Sequence, residues 1–279
     1  MNAIELNNVT YTYQNGMVAL QNITLKVPIG AKVALLGPNG AGKSTLLHHI
    51  NGLKLPTSGS VSIMGEKLTK KNCAAIRQKV GLVFQDPDDQ VISNTVLEDV
   101  AFGPRNLKMS EKTVQEVCSA ALGSVGMLEH KDRAPYQLSY GQKKRVAIAG
   151  VLAMHPDIVI LDEPMASLDP LGQDEIAGLL QGLYYMGKTI ILSTHDVNFA
   201  ASWADMVILL KGGELLAAGN TDLLVDETLI RKANLHLPIV SRLFKLVPNL
   251  VSDVLPKNEQ EAARFLFQWS QDKESRNTY

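Results

Sequence analysis

The sequence predicts an α/β fold with a mostly parallel β-sheet, preceded by antiparallel strands. Short apolar runs such as "KVALLG", "IVILD", "TIILST" and "MVILL" are typical of strands buried on both faces. Segments of helical periodicity separate these runs, and buried strands that alternate with helices favour a parallel sheet. The N-terminal "IELNNVTYTY" and "ITLKV" alternate apolar and polar residues instead, which predicts half-buried antiparallel strands.

The remaining elements follow in chain order. A helix is expected from Lys43, and "SVSIM" and "VGLVF" are strand-like. The pattern from about Val96 to Pro156 is helical throughout, so we expect a helical insertion into the sheet domain at about residues 92–156. After Gly219 we expect short helices with breaks at Pro238, Pro248 and Pro256, and "NEQEAARFLFQWSQDKES" predicts a final amphipathic helix.

Composition excludes several classes of function. With 279 residues the chain can form one large or two small domains, and its net charge of −1 gives no electrostatic case for binding nucleic acid or an anionic membrane. Cys73 and Cys118 lie far apart, which favours reduced thiols in a cytosolic protein and argues against a metal site. The start "MNAIELNN" does not predict a secretion signal, and the apolar runs fall short of the roughly 18 residues that a membrane span needs.

The segment "GPNGAGKS" predicts a phosphate-binding loop. It fits the pattern G-x-x-x-x-G-K-[ST], follows a predicted buried strand and opens a helix. Glycines let backbone N–H groups close around phosphates, and the helix N-terminus adds positive potential. Lys43 is expected to reach the β- and γ-phosphates, and the Ser44 hydroxyl to ligate Mg²⁺. The sequence therefore predicts a site for a nucleoside triphosphate.

Polar residues at the ends of three other predicted strands suggest a hydrolytic site. In "IVILDEP", successive strand side chains point in opposite directions, so we assign Asp162 to the Mg²⁺ shell and Glu163 to the attacking water. Gln85 ends "VGLVFQ" and His195 ends "TIILSTH", at the sheet edge where ligands collect in α/β folds. Gln85 would bridge Mg²⁺ and the water, and His195 would contact the γ-phosphate.

An aromatic residue near the N-terminus could stack on the nucleotide base. Tyr11 and Tyr13 both alternate with polar residues, and either is also compatible with an ordinary place on a sheet face. We prefer Tyr13 for the base.

A second small-residue turn, "LSYGQKKR", leads into a basic and apolar helix. A serine and a glycine at a helix N-terminus are typical of an anion site. The phosphate loop already supplies such a site, so a second one is redundant within one chain. The redundancy disappears if this turn serves the nucleotide bound by another subunit.

The ordered set "GPNGAGKST", "VFQ", "LSYGQ", "LDEP", "SLD" and "STHD" closely resembles the ATP-binding cassette (ABC) ATPases. This resemblance covers about residues 1–220 and implies a P-loop ABC ATPase core with an N-terminal antiparallel β subdomain and an inserted helical subdomain. Residues 221–279 would form a C-terminal helical extension. It also implies that two copies enclose two ATP molecules, and that closure on ATP and reopening after hydrolysis drive attached subunits.

The resemblance assigns residues to three groups. The nucleotide of the same chain would be bound by Tyr13, Gly37, Pro38, Asn39, Gly40, Ala41, Gly42, Lys43, Ser44 and Thr45. The catalytic residues would be Glu163, His195 and Gln85, with Mg²⁺ held by Ser44, Gln85 and Asp162. The nucleotide of the other copy would be contacted by Ser139, Gly141 and Gln142, with Asp169 at the dimer seam. Tyr140 departs from the glycine usual at its position, and we expect its side chain to point away from ATP.

Finer similarities narrow the type of ABC ATPase. The segments "VFQDPDDQ", "EDVAFGPRNL", "GQKKRVAIAGVLA" and "ANLHLP" resemble ATPase subunits of energy-coupling-factor (ECF) importers, especially the cobalt and nickel branch. This implies a peripheral subunit on the cytoplasmic face of the membrane, joined by a second ATPase copy, a transmembrane coupling subunit and a substrate-binding membrane subunit. Residues Asp86 to Gln90 would then seat the coupling subunit, although their composition alone indicates a solvated acidic loop. The alternatives are an ECF vitamin importer and a soluble ABC ATPase without a transport role.

Overall fold

The structure is a computed structural model that describes residues 1–247 and 255–276. Its first sheet has four strands in the order β2-β1-β4-β5, and all neighbouring pairs are antiparallel. These strands are β1 (Asn2–Thr12), β2 (Val18–Pro28), β4 (Ser58–Ile63) and β5 (Glu66–Lys67). The prediction of an N-terminal antiparallel unit is confirmed, and "SVSIM" joins it because Ile63 pairs with Ile4.

The second sheet has six strands in the order β10-β9-β3-β8-β7-β6. They are β3 (Lys32–Leu36), β6 (Val80–Val83), β7 (Ile158–Leu161), β8 (Thr189–Thr194), β9 (Met206–Lys211) and β10 (Glu214–Gly219). The five strands from β9 to β6 run parallel, as predicted. The antiparallel edge strand β10 was not predicted; a two-residue turn, with φ of 56° at Gly212 and 80° at Gly213, returns the chain onto β9.

Ten α-helices lie in the described parts of the chain. They are α1 (Lys43–Ile50), α2 (Cys73–Lys79), α3 (Val96–Asn106), α4 (Glu111–Ser124), α5 (Tyr140–Leu152), α6 (Pro170–Tyr185), α7 (Val197–Trp203), α8 (Glu227–Lys232), α9 (Ile239–Lys245) and α10 (Glu259–Arg276). Helices α2 and α7 were not anticipated. The break expected at Pro248 lies outside the described residues.

The cores explain how these parts are held. Helices α3 to α5 pack against the edge of the parallel sheet, with Val100 and Ile148 in the same buried cluster as Val83. The antiparallel sheet closes over α1 and β3 in a second cluster that contains Leu6 and Leu46. Because β3, β6, β7 and β8 are parallel neighbours, their carboxyl ends meet at one edge of the sheet.

Candidate nucleotide-binding site

The loop between β3 and α1 requires glycine at two positions. A Cβ on Gly37 would lie 2.2 Å from the Leu210 carbonyl oxygen, and one on Gly42 would lie 2.7 Å from the Ala19 carbonyl oxygen. Gly42 also has a φ of 100° and is the N-cap of α1, where no side chain caps the helix. The first N–H groups of α1 are therefore free of a side-chain cap, as an anion-binding helix N-terminus requires.

Lys43 folds back over this loop. Its buried ammonium donates to the Gly37 carbonyl at 2.8 Å and lies 3.5 Å from Glu163 Oε1. A buried cation needs such partners to offset its desolvation. The phosphate loop and the strand-end carboxylate are thus in direct contact.

The two carboxylates after β7 both line one cleft of about 1190 Å³ with the phosphate loop, Gln85 and His195. The expected alternation of their side chains does not hold, because Glu163 has a φ of 46° and has left the extended conformation of the strand. Their partners nevertheless differ. Asp162 accepts a hydrogen bond from the Ser193 hydroxyl, whereas Glu163 Oε2 lies 3.2 Å from His195 Nδ1.

Tyr13, and not Tyr11, lines the cleft. The Tyr13 and Thr45 hydroxyls are 3.0 Å apart, which ties the aromatic ring to the first turn of α1. Tyr11 packs edge-on against the buried His49 ring at 4.6 Å. The structure therefore separates the two tyrosines into one that faces the cleft and one that supports it.

The donors around the cleft fit Mg²⁺. Ser44, Gln85 and Asp162 line it with a hydroxyl, an amide and a carboxylate. No group of three or more His, Cys, Asp or Glu residues able to hold a metal occurs in the described residues. A site with one carboxylate suits Mg²⁺, which is usually bound by one or two carboxylates together with substrate phosphates.

The residues predicted to act on the other copy's nucleotide line a separate cavity of about 400 Å³. Ser139 and Gln142 form a capping box at the start of α5, with Ser139 N–H donating to Gln142 Oε1 at 2.9 Å. Asp169 caps α6 and accepts from Gly172 N–H at 2.8 Å. Gly141 lines the same cavity, so the structure gathers all of these residues away from the nucleotide cleft of their own chain.

Comparison with known proteins decides the family. Residues 20–166 match the family described as ABC transporter. The chain is 46% identical to the energy-coupling factor transporter ATP-binding protein EcfA of Carboxydothermus hydrogenoformans, over 95% of this chain and 97% of that protein. The chain belongs to the ABC transporter family. It is an ABC ATPase coupled to transport, of the EcfA type, and the predictions of family and fold are confirmed.

Solved structures of other ABC cassettes share this fold. Clostridium perfringens cbiO1, which is part of the ABC transporter complex cbiONQ, has a TM-score of 0.75 at 40% identity and covers 88% of this chain and 99% of its own. The cassette MJ0796, a dimer in a post-hydrolysis state with ADP and Pi, has a TM-score of 0.72 at 35% identity and covers 78% of this chain and 98% of its own. No helix in the described part of this ABC ATPase is both long and apolar enough to cross a membrane.

Sequence reasoning missed two features of the site. Ser193 is fully buried on β8 and bonds both carboxylate residues, since its hydroxyl also accepts the Glu163 N–H at 2.8 Å. Every residue of β8 is buried, so the sequence pattern does not distinguish a serine with this role from its neighbours. The C-terminal segment also lines the cleft, with Asn234 to Leu237 and Arg242. The motif "ANLHLP" was singled out, but nothing in its pattern places it beside a nucleotide.

Proposed function

We propose that this ABC ATPase hydrolyses ATP with Glu163 as the general base. The observation that carries the proposal is the position of the Glu163 carboxylate between Lys43 of the phosphate loop and His195. Lys43 would exchange its contact with Glu163 for the β- and γ-phosphates, which leaves the carboxylate to polarise the attacking water. His195, whose side chain is 72% exposed, would contact the γ-phosphate.

The remaining roles follow from the lining of the cleft. Tyr13 would stack on the base. The phosphate loop from Gly37 to Thr45, which lines the cleft from Pro38 onward, would hold the phosphates with its backbone. Ser44, Gln85 and Asp162 would hold Mg²⁺, which supplies positive charge against the phosphates when bound.

We propose that two identical copies act together. The separate cavity that contains Ser139, Gly141 and Gln142 would contact the γ-phosphate bound by the partner, with Asp169 at the seam. The dimeric state of the MJ0796 cassette supports this arrangement. Closure of the pair on ATP and its reopening after hydrolysis would drive the attached subunits.

The transporter that we propose is an ECF importer for cobalt or nickel ions. The similarity to EcfA and to cbiO1, a part of a cbiONQ complex, supports an ECF assembly with a transmembrane coupling subunit and a substrate-binding membrane subunit. Residues 1–220 would form the ATPase domain, with the helical subdomain inserted at about 92–156, and residues 221–279 the helical extension. The chain would lie peripherally on the cytoplasmic face of the membrane. A vitamin importer is the second candidate, because its ATPase motifs overlap with those of the metal importers.

The catalytic part is tested with Glu163→Gln. The substitution keeps the shape but removes the base, so we expect kcat to fall about 10²- to 10⁴-fold while ATP binding persists. With Mg²⁺ and saturating ATP the variant should accumulate as a dimer in size-exclusion chromatography. Glu66→Gln is the matched control, because Glu66 pairs with Lys79 on the surface and should leave kcat unchanged. A Glu163→Gln variant that turns over at the wild-type rate would refute the assignment.

The transport part is tested by co-purification. The tagged chain is extracted from native membranes in mild detergent, and its partners are identified by mass spectrometry. Stoichiometric recovery of two or more multi-span proteins is expected, and the substrate-binding one is then assayed with cobalt, nickel and vitamins. Recovery with soluble assemblies alone would remove the transport proposal and leave the ATPase chemistry intact.

A further inference from the structure

Helix α5 holds the segment after β6 through one backbone carbonyl. The carbonyl oxygen of Gln85 accepts hydrogen bonds from Lys144 Nζ at 2.5 Å and from the Tyr140 hydroxyl at 3.2 Å. Lys144 and Tyr140 are four residues apart on α5 and therefore share one face of the helix. Two donors on one acceptor fix the Gln85 backbone more firmly than either alone. The departure from the usual glycine at Tyr140 thus has a contact that explains it.

Lys144 is unusual because its side chain is fully buried. Its ammonium also lies 5.6 Å from the centre of the Tyr140 ring, within the range of a cation–π contact. Burial lowers the pKa of Lys144 to about 8, against the opposing effect of the Asp86, Asp162 and Glu163 carboxylates, so the group is charged at neutral pH. Burying a cation costs desolvation free energy, which hydrogen bonds and nearby opposite charges must offset. Lys144 makes such a hydrogen bond to the Gln85 carbonyl.

A neighbouring contact provides the comparison. Lys143, the preceding residue on α5, pairs with Asp88 at 2.6 Å, but the Asp88 side chain is 60% exposed. Exposed pairs of this kind contribute little. The same helix therefore directs two lysines toward the segment after β6: Lys144, which is fully buried, and Lys143, whose partner carboxylate is exposed.

We propose that Lys144 and Tyr140 are positioning residues for Gln85. Helix α5 begins with the Ser139 and Gly141 turn, and through these two side chains it fixes the backbone of the residue that lines the nucleotide cleft. The Ser139 and Gly141 turn, proposed to contact the partner's nucleotide, is then connected through α5 to Gln85, which faces the nucleotide of its own chain. This inference depends on the role proposed above for Gln85, so its test must separate the two.

The test measures ATPase activity of the purified full chain, with Mg²⁺ and varied ATP, in a double-mutant design. Lys144→Met should lower kcat about tenfold, because a hydrogen bond from a charged donor is lost, and leave KM for ATP within about twofold. Tyr140→Phe removes only the hydroxyl and should lower kcat about threefold. In a Gln85→Ala background, both substitutions should have no further effect. Lys143→Met is the control and should leave kcat within about twofold of wild type.

Each outcome decides a different point. Unchanged kcat in Lys144→Met and Tyr140→Phe, or the same fractional loss in the Gln85→Ala background, would overturn the positioning role while the role of Gln85 stands. A Gln85→Ala variant with wild-type kcat would refute the role proposed for Gln85, and the positioning role with it. If Lys144→Met does not yield folded protein, Tyr140→Phe in the wild-type and Gln85→Ala backgrounds decides the question alone.

Discussion

Ser193→Ala is the most informative single perturbation outside the predicted site. The Ser193 side chain is fully buried, and its hydroxyl donates to Asp162 and accepts the Glu163 N–H. Glu163 has a φ of 46°, a left-handed conformation that is unfavourable for a residue with a Cβ. The serine therefore fixes the backbone of one carboxylate residue and the side chain of the other.

The expected loss of stability follows from these two bonds. Alanine leaves a buried N–H and a buried carboxylate oxygen without this partner, and each unsatisfied group costs about 1–3 kcal/mol. Asp162 lines the cleft and can gain water, so we expect a total of about 2–3 kcal/mol. At about 2–4 °C per kcal/mol for a chain of this size, Tm should fall by about 4–12 °C. With the Glu163 backbone less fixed, kcat should fall at least about tenfold.

The assays are thermal unfolding and steady-state ATPase activity on the same preparation. The matched control is Thr189→Val on the same strand. The buried Thr189 hydroxyl accepts the Gly30 N–H in a hydrogen bond of 2.9 Å, and Thr189 does not line the cleft. The control variant should have a lower Tm and an unchanged kcat. A Ser193→Ala variant with wild-type kcat, or one that loses no more activity than Thr189→Val, would refute the coupling between this serine and the carboxylates.

Three further predictions concern other parts of the chain. Gly37→Ala should abolish ATP binding in a calorimetric titration, because its Cβ would lie 2.2 Å from a backbone carbonyl oxygen; wild-type affinity would contradict this. A thiol reagent should label the half-buried Cys73 and leave Cys118 unmodified in the folded protein, since burial also raises the pKa of the Cys118 thiol; rapid labelling of both would contradict the packing of α4. Arg242→Gln should weaken ATP binding about two- to fivefold, and more at low salt, because this exposed guanidinium lines the cleft. Lys245→Gln on the same helix removes a charge that pairs with an exposed glutamate elsewhere, and an equal effect of both variants would assign the change to net charge alone.

The fold was predictable where the sequence pattern reports burial directly. Strands such as β7, "IVIL", are buried at every position, so a continuous apolar run was a reliable signal. Strand β10, "ELLAAG", was missed because it is an edge strand with weak alternation, formed only because the Gly212 and Gly213 turn folds it onto β9. The short helices of the C-terminal segment were expected, but their docking was not. The bond from the Ile239 N–H to Asn198 Oδ1 at 2.7 Å joins residues that are far apart in sequence.

The site was predictable to the extent that its chemistry needs fixed residue types at fixed spacing. Strand ends brought Gln85, Asp162 and His195 to one edge, as parallel topology requires. The prediction that the Asp162 and Glu163 side chains point in opposite directions was wrong. The φ of 46° at Glu163 takes the backbone out of the extended conformation in which side chains alternate. A φ value is set by the surrounding packing, here by Ser193 on the next strand, and cannot be derived from the local residues.

The two cavities bear on why one chain carries two small-residue turns before helices. The capping box at the start of α5 satisfies the Ser139 and Gln142 N–H groups within the helix itself. The first amides of a helix have no intrahelical acceptor, so the Tyr140 and Gly141 N–H groups can donate to a bound anion. Different residues line the second cavity and the cleft, so these donors lie outside the chain's own cleft. In the proposed dimer, this turn would contact an anion held by the second copy. Helix α5, which begins at the turn, also holds the Gln85 backbone at the cleft of its own chain. The proposed pairing of two chains would therefore give both turns a function.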